Sequence, residues 1–168
     1  LEQLDEYIGR VRSVIGTKVP LAIDHFGHFP LPDMIKIARR LEKYHLAWLE
    51  DMLPWYLTGQ YGELKHATTA PIATGEDMYL AESFEPLLQA GVLDVVHPDL
   101  LTSGGILETK KLGDLAARYG ASMALHMCES PVSALAGAHM ATASENFFAQ
   151  EHDAFDSEWW QDLIIGPV

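Results

Sequence analysis

The sequence predicts an α/β fold, a TIM-type (β/α) barrel of parallel strands present as an incomplete barrel of about six strands. Three observations predict it. Six short apolar runs each finish on a polar or ionisable residue: LAID at Asp24, AWLE at Glu50, PIATGE at Glu76, VLDVVHPD at Asp99, ASMALH at His126 and NFFAQE at Glu151. Their ends are spaced 26, 26, 23, 27 and 25 residues apart, the regularity of one repeated supersecondary unit. Helical periodicity fills the intervals, and strand–helix alternation at this pitch implies parallel strands with right-handed crossovers. An open doubly wound sheet is the competing architecture. No G-x-G-x-x-G follows any strand, and polar residues at the carboxyl ends of successive strands favour the barrel, which builds its site at that face.

The elements follow in order. LEQLDEYIGRVRSVIG opens the chain in a helical pattern. The six runs read as continuously apolar rather than alternating, as strands covered on both faces do. In LPDMIKIARRLEKY, Met34, Ile37, Ala38 and Leu41 fall on one helical face, and Pro32 suits the first turn. GQYGELKHATT is the weakest helix, about two turns. FEPLLQAG ends on Gly91, and GGILETKKLGDLAARYG ends on Gly120, both plausible C′ glycines. Gly104 and Gly105 read as a tight turn before that second helix. SPVSALAGAHMATAS starts with Ser130 as N-cap and Pro131 at N1.

Composition narrows the function. The 168 residues are enough for one sizeable core, with no linker, low-complexity segment or second domain. A full barrel takes about 250 residues, so residues 1–168 are expected to be a barrel-domain fragment, with two strands lying elsewhere. No apolar run reaches 18 residues, so no membrane helix is expected. One cysteine, Cys128, excludes an internal disulfide and fits a reducing, cytoplasmic location; it is expected to pack. A formal charge of −13 argues against nucleic acid and anionic membranes as partners, and an anionic substrate would need a local cation.

Asp24, Glu50 and Glu76 would end three adjacent strands. Parallel neighbours lie about 4.8 Å apart, so three inward carboxylates converge and call for a cation or protons. Hard oxygen donors suit Mg²⁺. Asp51, next to Glu50, should point the other way. Asp99 and His126 end the next two strands; a carboxylate fixing an imidazole makes a general base. His25 should face away from the barrel interior, and His28 should lie in the following loop.

These residues, in this order, resemble the barrel domain of the enolase superfamily, and more narrowly its mandelate racemase subgroup. WLED and ATGED are similar to the second and third metal-ligand strands, and HPDLLTSGGILETKKLGDLA to the strand and helix carrying the dyad aspartate. ALHM, with His126, and FFAQEH, with Glu151, complete the series. The resemblance implies the modified (β/α)7β barrel, with an N-terminal capping domain, the first barrel strands and a C-terminal tail outside residues 1–168. It implies Mg²⁺-dependent removal of the proton α to a carboxylate through an enediolate. The reaction expected is dehydration of a sugar acid to a 2-keto-3-deoxy acid by a carbon–oxygen hydro-lyase. Racemisation or epimerisation of a 2-hydroxy acid and a non-catalytic metal-binding scaffold are the alternatives. Asp24, Glu50 and Glu76 are the implied metal ligands, His126 the acid/base and Asp99 its orienting partner, while Glu151 contacts the substrate. Phe26 stands where some sugar-acid dehydratases of the group place an acid histidine, which leaves His28 as the candidate acid and substrate contact. A homo-oligomer acting on a small carboxylate is expected.

Overall fold

The computed structural model describes residues 1–25, 27–152 and 158–166. Phe26 therefore lies outside the described residues. The chain is α/β, with six short strands alternating with helices. It forms two compact units, one of Leu1–Thr74 and Ala90–Asp94, the other of Gly75–Gln89 and Val95–Val168.

In the first unit, α1 (Glu2–Ile15) is followed by β1 (Ile23–Asp24), α2 (Leu31–Leu41), a 3-10 turn (Glu42–Tyr44), β2 (Leu49–Glu50), α3 (Thr58–Ala67) and β3 (Ile72–Thr74). β2 is parallel to β1 and to β3; Asp24 pairs in register with Glu50, and Glu50 with Ala73. Register partners in a parallel pair present their side chains on the same face. α2 has Pro32 in its first turn and buries Met34, Ala38 and Leu41, as its apolar spacing predicts. α3 runs longer than the two turns predicted but buries only Tyr61 and Leu64. Its tie to the unit is Tyr61, whose hydroxyl donates to the Leu53 carbonyl at 2.6 Å. Polar contacts anchor α1. Asp5 accepts from Arg40 Nε at 2.7 Å and from the Tyr44 hydroxyl at 2.7 Å. Arg12 donates to the carbonyls of Gly16, Val19 and His45 at 2.9, 2.8 and 3.2 Å, satisfying chain ends that α1 and the 3-10 turn leave open.

In the second unit, α4 (Leu80–Gln89) precedes β4 (Val95–Val96), α5 (Leu100–Ser103), α6 (Ile106–Arg118), β5 (Ser122–Leu125), α7 (Pro131–Thr142), β6 (Phe147–Gln150) and a 3-10 turn (Trp160–Leu163). β5 is parallel to β4 and to β6, with an irregularity in the β5–β6 register between Met123 and Ala124. Phe84, Leu112, Met123 and Met140 fill its interior.

Two helices differ from the sequence reading. α4 starts well before FEPLLQAG because the Ala81 N–H is capped by Glu108 Oε1 at 3.2 Å, a partner that local sequence does not announce. A short α5 precedes α6, and the break falls at Gly104 and Gly105, whose φ values of 112° and 86° favour glycine. The predicted tight turn is there. α7 starts as predicted, with Ser130 and Ser133 capping each other reciprocally and Pro131 in the first turn. No helix among the described residues is long and apolar enough to cross a membrane.

Candidate active site

The first unit contributes two acids. Asp24 and Glu50 occupy paired positions at the ends of β1 and β2. Glu50 is 3% exposed and accepts a hydrogen bond from Trp48 Nε1 at 2.7 Å. Two carboxylates on one face, one of them buried, are costly without a cation. Their hard oxygens fit Mg²⁺ chemistry. Asp51 is differently engaged: it takes a left-handed φ of 41°, and Thr74 donates to its Oδ1 at 2.5 Å. The two neighbouring acids thus have different partners, Trp48 for Glu50 and Thr74 for Asp51. His25 is buried, and burial pulls its imidazole down to about 4, so it is neutral at pH 7. His28 is exposed and shares the lining of a cavity of about 580 Å³ with Asp24, His25 and Lys36.

The second unit gathers the remaining candidates around His126. Asp99 caps α5, accepting from the Leu101 N–H at 2.6 Å through Oδ1. Its Oδ2 lies 2.7 Å from His126 Nδ1. Asp99 and His126 are also joined as a parallel bridge, and the His126 N–H donates to the Pro98 carbonyl at 3.1 Å. The backbone therefore sets the distance between the two side chains. On the other side of the ring, His126 Nε2 is 3.2 Å from Glu76 Oε2 and 3.8 Å from Glu151 Oε2. Glu151 Oε2 also faces the Met127 N–H at 3.4 Å. Glu76 falls two residues beyond β3, whereas Asp99, three beyond β4, is still held by its bridge to His126.

The electrostatics follow from that packing. Burial opposes charge on His126, but the Asp99 hydrogen bond and the charges of Glu76 and Glu151 outweigh it and raise the imidazole to about 9. Burial raises Asp99, yet its bonds to His126, Glu129 and the Leu101 N–H hold it below the usual carboxylate range. Glu129 is raised by burial and by its hydrogen bond to Asp99. With Asp99 ionised, Nδ1 carries a proton, and loss of the second proton leaves the lone pair on Nε2, where a general base needs it.

Two neighbours escape a reading by strand ends. Glu129 sits in the loop before α7, where Ser130 dominates the local signal. His97 is 1% exposed, and its ring meets that of His126 edge-on, 5.8 Å between centroids. Its position two residues before Asp99 in VLDVVHPD was the available clue, since alternate strand positions share a face. Cys128 corrects an expectation: it is exposed rather than packed. Its thiol is pushed up to about 11 by partial desolvation and by the charges of Glu129, Asp99 and Glu76.

Comparison with known proteins gives the family. Residues 3–168 match the family described as enolase C-terminal domain-like. D-xylonate dehydratase of Haloferax volcanii is 33% identical over 159 residues, 95% of this chain and 39% of that protein. D-gluconate/D-galactonate dehydratase of Picrophilus torridus is 28% identical over 92% of this chain and 39% of its own length. The crystal structure of a mandelate racemase/muconate lactonizing enzyme-like protein from Rubrobacter xylanophilus superposes with a TM-score of 0.92 at 34% identity, over 96% of this chain and 41% of that one. The chain spans about two fifths of the length of these relatives. With parallel strands and intervening helices matched along nearly its whole length, the chain belongs to the enolase superfamily, as part of its C-terminal barrel domain and homologous to acid-sugar dehydratases.

Proposed function

We propose that the full protein carrying this chain dehydrates a sugar acid, an aldonate or aldarate, to a 2-keto-3-deoxy acid. The observation that carries this reading is the His126 imidazole held at Nδ1 by Asp99, 2.7 Å away, with Nε2 turned toward Glu76 and Glu151. An α-proton beside a carboxylate is very weakly acidic, and its removal puts a second negative charge on the acid group. In the proposal Asp24, Glu50 and Glu76 hold Mg²⁺, the metal that members of the superfamily typically use. When bound, the ion supplies positive charge that favours the doubly negative species over the ground state.

The chain's own residues do the rest. His126 Nε2 accepts the α-proton while Asp99 stabilises the imidazolium that results. Glu151 hydrogen-bonds the substrate's acid group, and His28 contacts the substrate's hydroxyl chain beside Asp24. The β-hydroxyl then departs with a proton as water. His126 supplies that proton where the substrate's stereochemistry places both groups on its face. The enol left behind becomes the 2-keto-3-deoxy acid. The named activities of the two dehydratase relatives support this substrate class.

The test incubates the full protein with Mg²⁺ and a panel that includes D-xylonate, D-gluconate and D-galactonate, and measures 2-keto acid. Wild type is expected to form keto acid from at least one aldonate, and His126→Asn to lose about 10²- to 10⁴-fold in rate, the range for a positioned acid/base. No product across the panel, or full activity in His126→Asn, refutes the reading.

A further inference from the structure

The buried imidazole of His97 has no place in the chemistry just described, yet it lies against two of the groups that perform it. Its Nε2 is 3.8 Å from Glu151 Oε2, the same oxygen that lies 3.8 Å from His126 Nε2. The two rings cross at 85°. That one oxygen is thus equidistant from two imidazoles set at right angles, with the Met127 N–H at 3.4 Å as a further donor. His97 is itself held firmly. It follows β4 directly, and Gly75 packs so closely on its backbone that a Cβ there would stand 3.1 Å from the His97 carbonyl carbon. At 1% exposure His97 cannot reach a substrate, whereas the Glu151 side chain is 40% exposed.

We propose that His97 is a positioning residue that sets the rotamer of Glu151 and so aims its carboxyl at the substrate's acid group. The inference rests on the assignment of Glu151 as the substrate contact. A glutamate half open to solvent has several staggered rotamers available. A fixed polar wall on one side of its carboxyl selects among them. A misplacement of about 1 Å at a reacting group can cost on the order of a hundredfold in rate.

The test uses the full protein and the aldonate of the panel with the highest rate. His97→Leu fills the space but removes the ring nitrogens. It is expected to lower kcat by about ten- to a hundredfold with KM changed by less than about threefold, the pattern for an interaction realised mainly in the transition state. His97→Gln, which restores a polar group at similar reach, is expected to recover most of kcat. A residue that only fills the core would give no such rescue. In a Glu151→Gln background, His97→Leu is expected to cost nothing further, since the two residues act as one unit. Should His97→Leu fail to fold, His97→Asn, whose amide falls short by one methylene, replaces it with the same expectation. Wild-type kcat in His97→Leu, no rescue by glutamine, or losses that multiply in the double variant overturns the inference. Full activity in Glu151→Gln alone overturns the assignment beneath it, and is read independently of any His97 variant.

Discussion

Replacing Asp99 by asparagine isolates the contribution of one charge to the candidate base. The substitution is nearly isosteric, and the Asn Oδ1 can still accept from the Leu101 N–H, so the cap of α5 survives. What changes is the 2.7 Å contact with His126 Nδ1. An amide oriented by the Leu101 bond presents NH₂ to Nδ1, which must then act as acceptor. The neutral ring is forced into the tautomer with its proton on Nε2, and the lone pair needed for the α-proton is gone. The His126 imidazole stands at about 9 through a balance in which burial opposes charge while Asp99, Glu76 and Glu151 favour it. Asp99 is the first of the three acids in that balance, so its loss is expected to bring the midpoint down by at least about one pH unit, toward the ordinary histidine value near 6.5. The tautomer change is expected to cost about 10³- to 10⁴-fold in kcat, the scale seen when an orienting aspartate becomes asparagine in hydrolase triads. The assays are a heteronuclear NMR titration of the His126 ring and steady-state turnover of the aldonate identified by screening. An unmoved His126 midpoint, or kcat within tenfold of wild type, refutes the reasoning.

Other consequences are equally open to measurement. Gly75→Ala places a Cβ 2.5 Å from Phe84 Cε1 and 3.1 Å from the His97 backbone, at a φ of 146°. Phe84 is fully buried and cannot swing away. Overpacking and backbone strain together should destabilise the full protein by about 3 kcal/mol in urea melts, and a change under about 0.5 kcal/mol would contradict the packing described. Asp24→Asn, Glu50→Gln and Glu76→Gln should each weaken Mg²⁺ binding at least about tenfold by calorimetry; unchanged affinity in any one removes that residue from the ligand set. The Cys128 thiol stands at about 11, above the ordinary 8.5, so iodoacetamide alkylation should keep accelerating up to about pH 11 rather than levelling near pH 9. Glu129→Gln should bring that midpoint down, and a plateau at pH 9 in the wild type would exclude the proposed charge environment.

The parts of the molecule that the sequence discloses are those set by periodicity. Apolar runs at nearly constant spacing reveal strands because each buried strand must be short, apolar and followed by a crossover. The face of α2 through Met34, Ala38 and Leu41, and the start of α7 at Ser130, follow from local chemistry alone. So does the Asp99–His126 pair, since residues ending successive parallel strands become neighbours. Features that depend on a partner far along the chain stay hidden. The start of α4 is supplied by Glu108, 27 residues from Ala81. Glu76 falls beyond the last paired residue of β3, whose length depends on pairing rather than on composition. The spacing of His97 from Asp99 hints at its face, but one imidazole in VVHPD gives no sign that Glu151 will lie against it. Cys128 looks like packing in the sequence because its exposure depends on the path of the loop that carries it.

The most direct test of His126 as the base for the α-proton is its exchange with solvent. The full protein, its aldonate substrate and Mg²⁺ are combined in D₂O, with deuterium at the α-carbon followed in recovered substrate and at C3 in the keto-acid product. The account predicts deuterium in one or both with the wild type, its rate of appearance falling sharply after removal of Mg²⁺ by chelation and by about 10²- to 10⁴-fold with His126→Asn. Exchange at the wild-type rate in His126→Asn, or at an equal rate without Mg²⁺, contradicts it.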